Sequence, residues 1–125
     1  MKIAVVTDDH TTISAHFGRA LFYEIFTVEN GKVVSREAFV RGSQVESMGG
    51  HHDHAGQGYH QHDHNAMMAP IADCQVLVAR GMGTGAHASL REHGIQPIIT
   101  DIPDIQAAVD AYLAGTLVDH PERLH

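Results

Sequence analysis

Six of the twelve histidines in this 125-residue chain fall within residues 51–64, which read His51-His52-Asp53-His54-Ala55-Gly56-Gln57-Gly58-Tyr59-His60-Gln61-His62-Asp63-His64. A stretch with no branched aliphatic residue cannot build a packed core, because its imidazoles and carboxylates need water or partners. It divides the chain, so the fold has to be assembled from the sequence on either side, with about residues 42–65 as a loop insertion. Unstructured loops longer than about 12–15 residues inside a compact domain are functional or disordered. Neutral imidazole is the commonest protein ligand for zinc, copper and nickel. Two His-x-His units, His52/His54 and His62/His64, flank Gly56 and Gly58, where the chain can fold to set both pairs around one ion. His51, His52, His54, His60, His62 and His64 are therefore candidate metal ligands, against the blander alternative of a solvated polar insertion.

The remainder is long enough for one domain spanning 1–125, with 43% hydrophobic residues to form its core. A formal charge of −7, with only eight Lys and Arg, argues against nucleic acid or an anionic membrane as partner. The single cysteine, Cys74, excludes an internal disulfide and any cluster held by several thiolates of this chain. The apolar run at residues 3–6 meets Asp8-Asp9, which is too short for a signal-peptide core, and nothing approaches a membrane span. A cytoplasmic protein is expected.

Strand-like runs fall at 3–6, 21–28, 33–40, 75–79 and 96–100. Asn30-Gly31 joins the second and third, the strongest short hairpin signal because both residues tolerate positive φ. The turn Arg80-Gly81-Met82-Gly83-Thr84-Gly85-Ala86 leads from the fourth strand into a helix stopping near Gly94. A last helix opens at 101–104 with Pro103 expected in its first turn. It buries Ile105, Ala108, Val109, Tyr112 and Leu113 on one face, and Gly115 stands at its C-cap. Residues 65–72 make a poor helix because of Pro70. The order predicts a five-stranded mixed α/β sheet with helices packed on it. Parallel first, fourth and fifth strands, with a third returning in the same sense, would gather loops 7–20, 41–65, 80–86 and 101–104 at one sheet edge. Open α/β sheets bind ligands at such edges.

Two segments of that edge carry chemistry. In Ile13-Ser14-Ala15-His16-Phe17-Gly18-Arg19-Ala20, His16 sits on a tight connection and Arg19 is one of few cations. Together they suit an anionic, metal-containing ligand, one by coordination and the other by charge and hydrogen bonding. The alternative is a turn with Phe17 packed inward and His16 merely exposed. Along Gly81, Met82, Gly83, Thr84 and Gly85, the glycines allow backbone N–H groups to approach an anion at a helix N-terminus. The spacing is neither the dinucleotide fingerprint nor a Walker motif. His87 and His10 are weaker candidates, Cys74 reads as a buried small hydrophobe, and His93 and His120 as surface or capping residues. Met67 and Met68 are expected to pack under the sheet. Asp8, Asp73, Asp101 and Asp104 offer at most a magnesium site of nuclease type, which the acidic balance disfavours. No arrangement for hydrolysis stands out, so the chain is not read as an enzyme.

The segments 13–20, 73–83 and Gly94-Ile95-Gln96-Pro97 with the final helix resemble the dinitrogenase iron–molybdenum cofactor-binding family. That family includes the carrier domains of nitrogenase cofactor assembly and the small orange proteins that hold a molybdenum–copper sulfide cluster. The resemblance covers nearly the whole chain except the histidine-rich insertion. It implies a single ribonuclease-H-like domain that carries a preformed anionic metal–sulfur cluster of Fe–Mo–S or Mo–Cu–S type, with metallocluster donor and acceptor proteins as partners. His16, flanked by the Gly81 turn, is the implied contact. The insertion departs from the simplest members and keeps a second reading open: a chaperone or buffer for Ni, Zn or Cu ions.

Overall fold

The computed structural model describes residues 1–41 and 68–125, so the six clustered histidines of 51–64, together with Met67, lie outside the described residues. Five strands form one sheet: β1 (Lys2–Thr7), β2 (Phe22–Glu29), β3 (Lys32–Val40), β4 (Val76–Ala79) and β5 (Gln96–Ile99). Their spatial order is β3-β2-β1-β4-β5. The β1/β2 and β2/β3 pairs are antiparallel, and the β1/β4 and β4/β5 pairs are parallel. Helix α1 (Thr84–Glu92) joins β4 to β5, and α2 (Ile105–Ala114) follows β5. This is the five-stranded mixed α/β sheet that the order of periodic segments predicts.

The sheet is covered on both faces, and alternation along the strands sorts side chains between the two layers. Ala4, Val6, Tyr23, Ile25, Leu77 and Ala79 pack with Leu90 of α1 on one face. Ile3, Val5, Phe26, Val28, Val76 and Val78 pack with Ile105, Ala108 and Val109 of α2 on the other. Residues 3–6 of β1 are completely buried, which is why that strand reads as a continuous apolar run. The edge strand β3 is exposed along its whole length.

Local signals set the element ends. Asn30 and Gly31 both take positive φ, 54° and 77°, as the hairpin between β2 and β3 requires. The Asp104 carboxylate accepts from Ala107 N at 2.8 Å and caps α2, whereas Gly115 closes it at φ 77°. Pro103 differs from expectation: it precedes the N-cap instead of occupying the first turn. Its carbonyl accepts from Ile13 N at 2.7 Å and ties the loop after β1 to the loop after β5. The weak helix around Pro70 is a single 3₁₀ turn, Ala69–Ile71, preceded by the buried Met68.

Candidate functional site at the carboxyl edge of the sheet

Three connections are stitched together above the carboxyl ends of the strands. Ser14 N donates to Val6 O at 2.8 Å, and Arg80 N donates to Ser14 O at 3.0 Å, so the loop after β1 spans the gap between β1 and β4. Phe17 N then donates to Gly81 O at 3.0 Å. Thr12 bridges to Asp104, and Ile105 N donates to Thr11 O at 3.0 Å, which brings in the approach to α2. Gly81 is a glycine for a steric reason. A Cβ there would collide with the Ala15 carbonyl oxygen.

His16 occupies the N-cap of a 3₁₀ turn, Phe17–Arg19, with extended backbone. Its carbonyl accepts from Arg19 N at 3.0 Å and Ala20 N at 3.1 Å, and its N–H donates to the Ser14 hydroxyl at 3.1 Å. The backbone is thus fully committed while the imidazole stays exposed. Phe17 is turned inward and buried, as the bland reading of this turn requires, yet its burial is what holds His16 against the Gly81 connection. Arg19 is exposed on the same turn.

Beneath the turn lies a residue that sequence reasoning missed. Arg41, at the end of β3, is fully buried. Its guanidinium donates to the Phe17 carbonyl and, at 3.3 Å, to the Ala20 carbonyl. It also stacks on the rings of Phe17 and Tyr23, with its central carbon 4.6 and 4.8 Å from their centroids. Burial pulls its pKa below the usual guanidinium value and pushes the Tyr23 phenol up to about 12. Arg80, immediately before Gly81, keeps a buried Nε without a hydrogen-bond partner. Arg19, Arg41 and Arg80 are three of the eight cationic residues of an acidic chain, and they share this edge with the carboxylates of Asp8, Asp9 and Asp104.

The segment after the 3₁₀ turn Pro121–Arg123 closes the edge from the other side. Leu124 bridges in parallel to Met82; His125 N donates to Met82 O at 3.2 Å, and Thr84 N donates to His125 O at 3.3 Å. One amide at the N-terminus of α1, expected to be bare, is therefore already paired. The Gly85 amide, in the first turn of α1, has no acceptor within the helix. The same segment sets the His125 ring 6.5 Å from the His16 ring, centroid to centroid. Nothing local in the sequence points to His125, because its neighbours are remote along the chain.

The other candidates disperse. His87 lines a separate groove with Arg91, Gln96, Asp119 and Pro121. His93 Nδ1 lies 2.7 Å from Ser89 O at the end of α1, and His120 Nδ1 lies 2.8 Å from Glu122 Oε2, both capping or surface contacts. His10, at φ 67°, contacts the buried Glu24 carboxylate, which Arg36 Nε also meets at 2.8 Å. Glu24 follows the α2-side alternation of β2, so this triad stands apart from His16. Cys74 is buried among the α1-side core residues, and burial pushes its thiol up to about 11, which does not suit a thiolate ligand. Asp73 pairs with Lys2 at 2.9 Å near the amino end of β1, far from Asp104 at its helix cap. Among the described residues no three His, Cys, Asp or Glu side chains converge on a common ion. No helix among the described residues is long and apolar enough to cross a membrane.

The sequence model of the dinitrogenase iron–molybdenum cofactor family matches residues 1–115. No curated protein matches the chain. The solved structure of PH0822 is similar, with a TM-score of 0.72 at 18% identity, covering 98% of each chain. The apo form of the orange protein from Desulfovibrio gigas has a TM-score of 0.69 at 17% identity, over 96% of this chain and 92% of that one. MJ0327 of Methanocaldococcus jannaschii has a TM-score of 0.68 at 13% identity, over 97% and 95% of the two chains. At these identities the likeness establishes a common fold.

Proposed function

The chain belongs to the dinitrogenase iron–molybdenum cofactor family, and from that membership we propose that it is a non-catalytic carrier for an anionic metal–sulfur cluster, of iron–molybdenum or molybdenum–copper type. Membership supports a cofactor-binding or carrier role; the cluster type and the residues that meet it are our reading. The observation that carries it is the junction of the His16 turn with Gly81, which sets an exposed imidazole close to a helix N-terminus, with Arg19 on the same turn and Arg80 next to Gly81. The donor set fits such a cargo. One or two imidazoles, guanidinium groups and helix-end amides can hold an anion whose own sulfides supply most of the metal ligands. It does not fit a cluster ligated by protein thiolates, since the single cysteine, Cys74, is buried and burial pushes its thiol up to about 11.

Within this reading His16 contacts a metal atom of the cluster, Arg19 and Arg80 offset its charge, and Gly81, Met82, Gly83, Thr84 and Gly85 form the floor. Donor and acceptor proteins would load and unload the same edge, in a cytoplasmic setting. Anaerobic purification with elemental analysis for iron, molybdenum, copper, nickel and zinc, followed by cluster transfer, tests it. The expected outcome is charge-transfer absorbance on loading that His16→Ala abolishes. Uptake of simple Ni, Zn or Cu ions that needs residues 51–64 and ignores His16 would favour the metal buffer instead.

A further inference from the structure

We infer that His125 is a second metal-facing imidazole of this site, so that His16 and His125 act as a pincer over Gly81 on one borderline transition-metal centre of the cargo. The inference rests on the carrier reading for the identity of the cargo, yet its evidence is separate. His125 lies outside residues 1–115, the stretch that the family model matches.

Both backbones beside the pair are fixed. His125 is held by hydrogen bonds to Met82 O and from Thr84 N, and Leu124 packs against the α1-side core. His16 is held by the Ser14 hydroxyl and its own 3₁₀ turn. The two rings meet edge to face at an interplanar angle of 77°. Both residues are exposed, so their side-chain torsions are free to turn without disturbing the core. Gly81 lies between them: the direction a Cβ would take is blocked by Ala15 O and passes within 3.5 Å of His125 Nε2. The His125 imidazole thus lies beside Gly81, the residue that the Ala15 carbonyl keeps free of a side chain.

Two imidazoles sharing an ion at metal–nitrogen distances of about 2.0–2.1 Å have ring centroids roughly 5 Å apart at a tetrahedral angle. The observed 6.5 Å is slightly wider, a gap that rotation of two exposed side chains closes. Imidazole selects copper, zinc and nickel among available ions, and metal atoms with open positions in a sulfide cluster meet the same donors. A free ion and a cluster are thus two sources of one chemistry.

The test uses the full chain with His51, His52, His54, His60, His62 and His64 all replaced by alanine, so that the insertion contributes no imidazole. Cu(II) alone is titrated in, with affinity measured calorimetrically and bound nitrogens counted from electron paramagnetic resonance hyperfine structure. Two imidazole nitrogens are expected. His16→Ala and His125→Ala should each weaken binding roughly tenfold or more, and the double variant should be little worse than either, the signature of coupled ligands. His125→Gln, which keeps a polar side chain of similar reach, is expected to bind as weakly as His125→Ala. Unchanged affinity in His125→Ala, or full affinity in His125→Gln, overturns the pincer. In a parallel arm with anaerobically transferred cluster, loss of uptake in His16→Ala but not His125→Ala overturns this inference while leaving the carrier reading standing. Retention of uptake in both overturns the two together.

Discussion

Arg41 shows how a single side chain decides the geometry of a site it does not join. A guanidinium is costly to bury, and here two carbonyls of the His16 turn and two aromatic faces receive it. Arg41→Met should leave the Phe17 and Ala20 carbonyls without that donor, at about 1–3 kcal/mol for each group left unsatisfied. The expected reading is a lower Tm together with a shifted nuclear magnetic resonance signal from the His16 ring; an unmoved His16 signal would remove Arg41 as its support. Nothing in the sequence marks this role, since an arginine after an apolar strand reads as the start of a solvated loop. Cys74 was legible, because a lone cysteine beside an apolar strand packs as a small hydrophobe. Its thiol, raised from 9.0 to about 11 by burial, is held more tightly by the native state than by the unfolded chain. The stability it lends is therefore complete below about pH 9 and disappears as the pH climbs through about 11. Alkylation by iodoacetamide should be slow in native protein at neutral pH and fast in denaturant; rapid native labelling would contradict the burial.

Among elements, the connection from β4 into α1 carries the strictest demand. The glycines at 81, 83 and 85 look alike in sequence, and an anion-binding turn is the natural reading of all three. The structure separates them. Gly81 answers to the backbone of Ala15, whereas Gly85 has open space where a Cβ would go. Gly81→Ala is accordingly expected to destabilise the fold by about 1–3 kcal/mol, the usual range for overpacking, and to disturb His16. Gly85→Ala should leave urea-unfolding midpoints unchanged or slightly raised, since alanine favours the helix. Equal effects at the two positions would show that the close approach to Ala15 is not what selects glycine. Hairpin, caps and strand limits were readable because each depends on a few adjacent residues such as Asn30-Gly31 or Asp104 with Ala107. Pro103 was misplaced because its partner, Ile13, lies on another loop.

For the whole molecule, the two layers of core are built from residues on either side of 42–67, and each layer has its own helix. Deleting 51–64 should therefore leave the thermal midpoint of the metal-free protein essentially unchanged; a large fall would mean that the insertion supports the fold. The architecture was legible because strand and helix periodicities are strong and the hairpin fixes the sense of β3. The meeting of His16 with His125 was not, because it depends on a closing segment that returns across the sheet edge. The histidine-rich stretch is entered from the fully buried Arg41 and left through the buried Met68, both set on the α1-side core. With its gateposts sunk in the same masonry, whatever lies between them is open to exchange. A foreign peptide of similar length could be spliced there, and the scaffold would carry a new sensor beside an old cradle.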